Sequence, residues 1–395
     1  MESPDMRRLT WSIHNHSDSP MTLMLARLPD TPRQSVASCT VDPAPHTTTD
    51  DAWLVSVPPG SRAGLRAEVL VHRPDPARAT PELSEAERAR YTASTALVPL
   101  SESIHAEALR LAGDRTEPEE IARAFFDELV GDRYRYTWPT GDLGAEAMLW
   151  DRSGDCGAYA FLFVAWCRAM GIPARTVFGT WATGRLQAHA WAEFHVAGTG
   201  WLPVDPSFGW LTAHQRWPAK SREAVEGSFG DLPGERIVFS HDAEFPLPDG
   251  LDLPAAPEAA AGGRNSKTSW DGTMLMAGRR VRWGAETLAG RVPYLQPAYP
   301  IYPDGNADAR VTLGSWLVET PRTRLLAKIG YVLCALAALL LPFLARESAN
   351  PVTSVLVVGA VVLFEVWLIA SRRSVLIPAA TLVGLLGFMT QNLLT

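Results

Sequence analysis

Residues 158–170, AYAFLFVAWCRAM, contain a single charge and are apolar on nearly every side at a helical period. A helix of that kind cannot lie on a surface, so the fold has to be built around it. Gly171 supplies its C-cap and Pro173, two residues beyond, stops it. Gly154-Asp155-Cys156-Gly157 leads into it, so Cys156 stands in the first turn of a buried helix. Backbone N–H groups at a helix start favour a thiolate, lower the thiol pKa and can help hold an oxyanion.

Residues 174–179 read as a strand. Alternation in HAWAEF then puts His189, Trp191 and Glu193 on one strand face and Ala190, Ala192 and Phe194 on the other. Gly198 and Gly200 bracket a turn, and residues 201–205 return as a second strand. The start of the first strand and the end of the second meet at one end of such a hairpin, which brings His189 toward Asp205. Both numbers are odd, so the two side chains share a face only if the loop has an odd residue count or a bulge shifts the register. A five-residue loop over 195–199 would set them directly opposite. Thiol, imidazole and carboxylate then satisfy the logic of covalent acyl transfer: Cys156 as nucleophile, His189 as proton shuttle and Asp205 as its orienting partner.

GDCGAYAFLFVAWCRAMGIPAR, HAWAEF and GWLPVDPSFG, in that order, closely resemble the motifs of the transglutaminase-like superfamily over residues 100–215. The resemblance implies a papain-like core with Cys156, His189 and Asp205 as its triad. His195 is the rival base, but it lies in the expected turn and outside the motif. Trp138 and Trp150 are candidates for the family's oxyanion-assisting tryptophan, with packing as the alternative role for each. The calcium sites of animal transglutaminases map to no acidic cluster, so no metal and no cofactor is expected. The expected activity is hydrolysis of peptide or protein amides by a cysteine peptidase. The alternatives are transamidation to an amine, which shares the same thioester, and a catalytically silent binding module. Substrate preference is expected in the loops at 180–188 and 243–310.

The expected fold class is α+β: a β-sandwich over 1–75, a linker at 76–99, the catalytic core at 100–240, a Pro/Gly/Ala-rich extension at 241–320 and a membrane anchor at 321–395. The sandwich rests on short β-rich stretches at 9–13, 21–28, 52–57 and 65–71, separated by turn residues. Helical periodicity marks 101–112 and 117–129, with Pro118 well placed in a first turn. His14 and His16 read as two residues of one exposed strand face. Cys39, Cys167 and Cys334 are scattered without a CxxC spacing and read as small apolar residues, which excludes a zinc ribbon or a disulfide scaffold.

Three apolar runs near the C-terminus, 329–345, 352–370 and 375–394, approach the length that crosses a bilayer. Arg322, Arg324 and Lys328 precede the first run, and Arg372 and Arg373 separate the last two, so the positive-inside rule puts residues 1–320 in the cytoplasm. Glu365 within the second run reads as paired in a helix bundle. Residues 321–395 carry a net +4, which leaves −11 on residues 1–320 from a total of −7. A front that acidic excludes nucleic acid as a natural partner. The expected partners are a protein or peptide substrate and the lipid bilayer.

Overall fold

The computed structural model describes residues 5–71, 82–137, 144–182, 184–185, 188–214, 225–232, 236–247, 268–276, 279–287, 291–292, 294–301, 310–321 and 324–325. The front of the chain forms β1 (Met6–Asn15), β2 (Met21–Ala26), β3 (Gln34–Asp42), β4 (Thr47–Thr48), β5 (Ala52–Val57) and β6 (Arg62–Val71). Helices α1 (Glu85–Thr92), α2 (Glu102–Ala112) and α3 (Pro118–Val130) follow, with Pro118 in the first turn of α3. Next come β7 (Arg135–Tyr136), α4 (Ala145–Asp151), β8 (Ser153–Gly154) and α5 (Cys156–Ala169). Strands β9 (Ala174–Trp181), β10 (Gly184–Arg185), β11 (Ala188–Val196) and β12 (Gly200–Val204) lead to α6 (Pro206–His214) and β13 (Arg236–His241). The remaining strands are β14 (Phe245–Pro246), β15 (Thr268–Met276), β16 (Arg279–Thr287), β17 (Arg291–Val292), β18 (Ala298–Ile301) and β19 (Arg310–Glu319).

Two sheets share one apolar core at the front of the molecule. One runs β16-β15-β19-β1-β6-β3, with β10 on the side of β19; the other runs β18-β2-β5-β4. Period-two alternation turns Leu9, Trp11 and Ile13 of β1 and Ala63, Leu65, Ala67 and Val69 of β6 inward, onto Leu23, Leu25, Val55 and Val57. The front strands do not complete these sheets alone. The stretch read as an irregular extension supplies β18, which pairs with β2, and β19, which pairs with β1. Its proline and glycine content hid the strands. Likewise the segment read as linker holds α1, opened by a capping box in which Ser84 and Glu87 satisfy each other's backbone N–H. Residues 72–81, the end of the front segment and the start of that linker, lie outside the described residues. So do Cys334, Glu365 and the three apolar runs; among the described residues no helix is long and apolar enough to cross a membrane. His14 and His16 do lie together, with ring centroids 4.0 Å apart, and His14 Nε2 bonds the Gly60 carbonyl.

The second unit has α5 at its centre. Tyr159, Leu162, Phe163 and Trp166 are fully buried among α2, α3 and a four-stranded antiparallel sheet ordered β12-β11-β9-β13. Ala190, Ala192 and Phe194 face α5, while Trp191 packs on the other side with Val177 and Val238. The two units are joined through buried polar contacts. Gln34 from β3 bonds both the N–H and the carbonyl of Val238, filling the irregularity in the β13 ladder. Within the second unit, Arg168 near the end of α5 donates from all three of its guanidinium nitrogens, to the Ala174 carbonyl, the Ala93 carbonyl and Asp242. Glu244 accepts the N–H groups of Ala96 and Leu97.

Gly179 occupies the centre of this sheet, opposite His189 on one side and Val238 on the other. A Cβ there would run into the Ile237 carbonyl and sit 2.6 Å from the Trp191 ring. Neither can yield without opening the ladder. Gly179→Ala should therefore cost about 1–3 kcal/mol of stability by overpacking, read as a lower midpoint in urea unfolding. A midpoint equal to the wild type's would contradict this packing.

Candidate active site

The GDC sequence folds as its residue types require. A side chain at Gly154 would strike the Ala158 methyl, so the close approach of β8 to α5 needs glycine. Asp155 is the N-cap, accepting the Ala158 N–H at 3.1 Å. Cys156 is the first helical residue and remains partly exposed. Burial raises its thiol to about 12, with the neighbouring Asp155 adding to the rise; the Ala190 and Gly157 N–H groups lower it, but by less. The expectation of a thiol lowered by the helix start is thus corrected: desolvation and a nearby carboxyl outweigh the backbone donors.

The hairpin also differs from the expected one. Pairing continues to Val196↔Gly200, leaving a three-residue loop rather than five, with Gly198 at φ 77°. The tighter loop is still odd, so His189 and Asp205 keep one face, offset diagonally rather than directly opposite. His189 Nε2 lies 2.6 Å from Asp205 Oδ2. His189 itself is 8% exposed and Asp205 0%. The rival His195 is buried against Trp201, on the parity of His189 but six residues further along β11.

Val204-Asp205-Pro206 places the carboxylate as precisely as a capping motif can. Asp205 follows the last β12 residue and Pro206 opens α6, where a missing N–H does no harm. Oδ1 accepts the Phe208 N–H at 2.9 Å and the Ser207 hydroxyl at 2.8 Å, while Oδ2 faces His189. Arg236 Nη1 meets the same Oδ2 at 2.8 Å. Burial alone would raise this carboxyl, but the charges of His189 and Arg236 and the hydrogen bonds to it hold it well below the usual carboxylate range.

Three neighbours of the site were not found from the sequence. Trp181 at the end of β9 stacks on His189, with centroids 5.4 Å apart and planes at 21°, and also meets Phe208. Arg236 lies over Trp181 at 4.4 Å and Trp191 at 5.1 Å. Tyr136, paired with Gly154 in the short β7–β8 ladder, has its phenol raised by burial, with the neighbouring Cys156 and Asp155 adding to the rise. Trp150 ends α4 with 56% exposure, and Trp138 lies outside the described residues. Among the described residues no group of three or more His, Cys, Asp or Glu side chains could hold a metal ion.

Residues 106–206 match the model of the transglutaminase-like superfamily. Over that stretch the chain is similar to this superfamily. A protein-glutamine gamma-glutamyltransferase of Pseudomonas aeruginosa is 34% identical over 119 residues, which cover 26% of this chain and 17% of that relative. The chain thus matches only a small part of that relative's length. A candidate cysteine protease of Cytophaga hutchinsonii has a solved structure 14% identical, with a TM-score of 0.44, covering 75% of this chain and 97% of its own. The periplasmic domain of TgpA from Pseudomonas aeruginosa is 20% identical, with a TM-score of 0.32, covering 52% of this chain and 89% of its own.

The buried Asp205 charge is balanced by Arg236, so Asp205→Asn leaves a buried guanidinium without a counter-charge. Stability at pH 7 should fall by about 3–5 kcal/mol. A carboxylate with a depressed folded pKa contributes stability above its unfolded value of about 3.9 and loses it as pH falls toward the folded value. The gap between wild type and variant should therefore narrow from pH 7 to pH 3 in denaturant titrations. A gap of constant size would contradict this assignment of the charge.

Proposed function

We propose that this chain catalyses cysteine-dependent acyl transfer from peptide or protein amides, with water as the acceptor. The observation that carries the reading is the 2.6 Å contact between His189 and the buried Asp205, close enough to Cys156 that the Asp205 charge and the Ala190 N–H both act on its thiol. Nε2 of His189 is taken by Asp205, which leaves Nδ1 to receive the thiol proton. With a thiol held near 12 by burial, attack is driven by that proton transfer rather than by a standing thiolate. Sulfur bonds to the amide carbonyl carbon, and the oxygen is held by N–H groups at the start of α5. The C–N bond then breaks as the imidazolium returns its proton to the leaving nitrogen. Water, deprotonated by His189, attacks the thioester and releases the acid and the free thiol. Asp205 stabilises the imidazolium in both halves.

A second reading gives the acyl group to a primary amine in place of water. The name of the Pseudomonas aeruginosa relative, a protein-glutamine gamma-glutamyltransferase, favours it. We also propose that the apolar runs at 329–345, 352–370 and 375–394 anchor the chain in a bilayer, with residues 1–320 on the cytoplasmic side by the flanking-charge rule.

Mass spectrometry of peptide-library products, with and without an added primary amine, tests the chemistry. Cys156→Ala and His189→Ala should each lower product formation by about 10³-fold or more. Clipped peptides alone support hydrolysis, whereas incorporated amine supports the second reading. Products undiminished in Cys156→Ala would remove both.

A further inference from the structure

Two buried arginines in the second unit have different surroundings. Arg168 donates from Nε, Nη1 and Nη2 to three separate oxygens, as a structural arginine should. Among the described residues Arg236, only 8% exposed, has one hydrogen-bond acceptor, Asp205 Oδ2, while its Nε and Nη2 have none. Its guanidinium also lies over the Trp181 and Trp191 rings. Stacking on two π-faces offsets part of the lost hydration. A buried cation with two unpartnered nitrogens is nonetheless a weak device for stability. What the arrangement does achieve is local. The ring that seats the guanidinium also stacks on His189, and the oxygen it binds is the one His189 uses.

We infer that Arg236 is a positioning residue of the proposed triad: seated on Trp181 and Trp191, it fixes the Asp205 oxygen that orients His189, and its charge sets the pH at which Cys156 reacts. The inference rests on the acyl-transfer reading above. With Arg236 in place, Asp205 and its partner form a nearly neutral pair, so the imidazolium gains orientation without being trapped by an uncompensated anion. The other charged or titratable groups facing this cluster are Asp155 and Cys156 at the start of α5 and Tyr136 of β7; Arg33, preceding β3, faces Arg236. Removing a positive charge raises the pKa of every group titrating beside it, whichever member of the Cys156–His189 pair carries the proton.

The test is site-resolved alkylation of Cys156 by iodoacetamide in the full chain as a function of pH, which needs no substrate. Arg236→Gln and Arg236→Met should each move the reaction's inflection upward by about one pH unit and slow labelling at neutral pH about tenfold. Two neutral variants of different polarity guard against one of them failing to fold, checked by circular dichroism. Arg236→Lys keeps the charge and should leave the inflection near the wild type's. A purely structural arginine would not show this dependence on charge. Inflections in Arg236→Gln and Arg236→Met that coincide with the wild type's, or one in Arg236→Lys displaced as far as theirs, would overturn the role. If the wild-type inflection is unaffected by His189→Ala, the triad reading fails and the role of Arg236 falls with it. An inflection abolished by His189→Ala but unmoved in the neutral Arg236 variants overturns the arginine's role alone.

Discussion

Asp205 is wholly buried and accepts four hydrogen bonds, from His189, Arg236, Ser207 and the Phe208 backbone. The four donors come from three elements. Phe208 and Ser207 start α6, His189 opens β11, and Arg236 begins β13, two strands away across the sheet. One carboxylate thus ties a helix cap to both ends of a four-stranded sheet. Desolvating an anion this completely is costly, and only charged and well-aligned donors on both oxygens offset it. The position of the imidazole is a consequence of meeting that demand.

The opposite wall of the site is fixed by packing. Because α5 is apolar all round, it fits only where α2, α3 and the sheet enclose it, and its first residue then emerges beside the start of β11. Gly154 permits the entry and Asp155 caps the helix. The same enclosure raises the thiol rather than lowering it, so in the proposed reaction Cys156 relies on a base beside it more than on the helix terminus. Burial therefore gives Asp205 and His189 their chemical importance.

Much of this was legible in the sequence because it rests on local rules. The all-apolar run, the Gly-Asp-Cys entry, the Asp-Pro cap and the parity of His189 and Asp205 each follow from residue type and spacing. The five-residue loop was misjudged because His195 and Val196 continue the ladder, and Gly198 at positive φ closes a shorter turn. Arg236 was not legible: it lies 31 residues beyond Asp205, without a motif, and only the antiparallel placing of β13 beside β9 brings it in. Strands β18 and β19 escaped for a related reason. Their partners, β2 and β1, lie nearly the whole chain away, and pairing across such a separation leaves no local signal.

The most direct measurement is intact-mass analysis of the full chain, acid-quenched during turnover of a peptide library. A hydroxylamine-labile acyl increment located on Cys156, and missing from His189→Ala, is the expected result. No increment on Cys156 while products accumulate, or an equal increment in His189→Ala, would contradict a thioester formed by thiol, imidazole and carboxylate acting together.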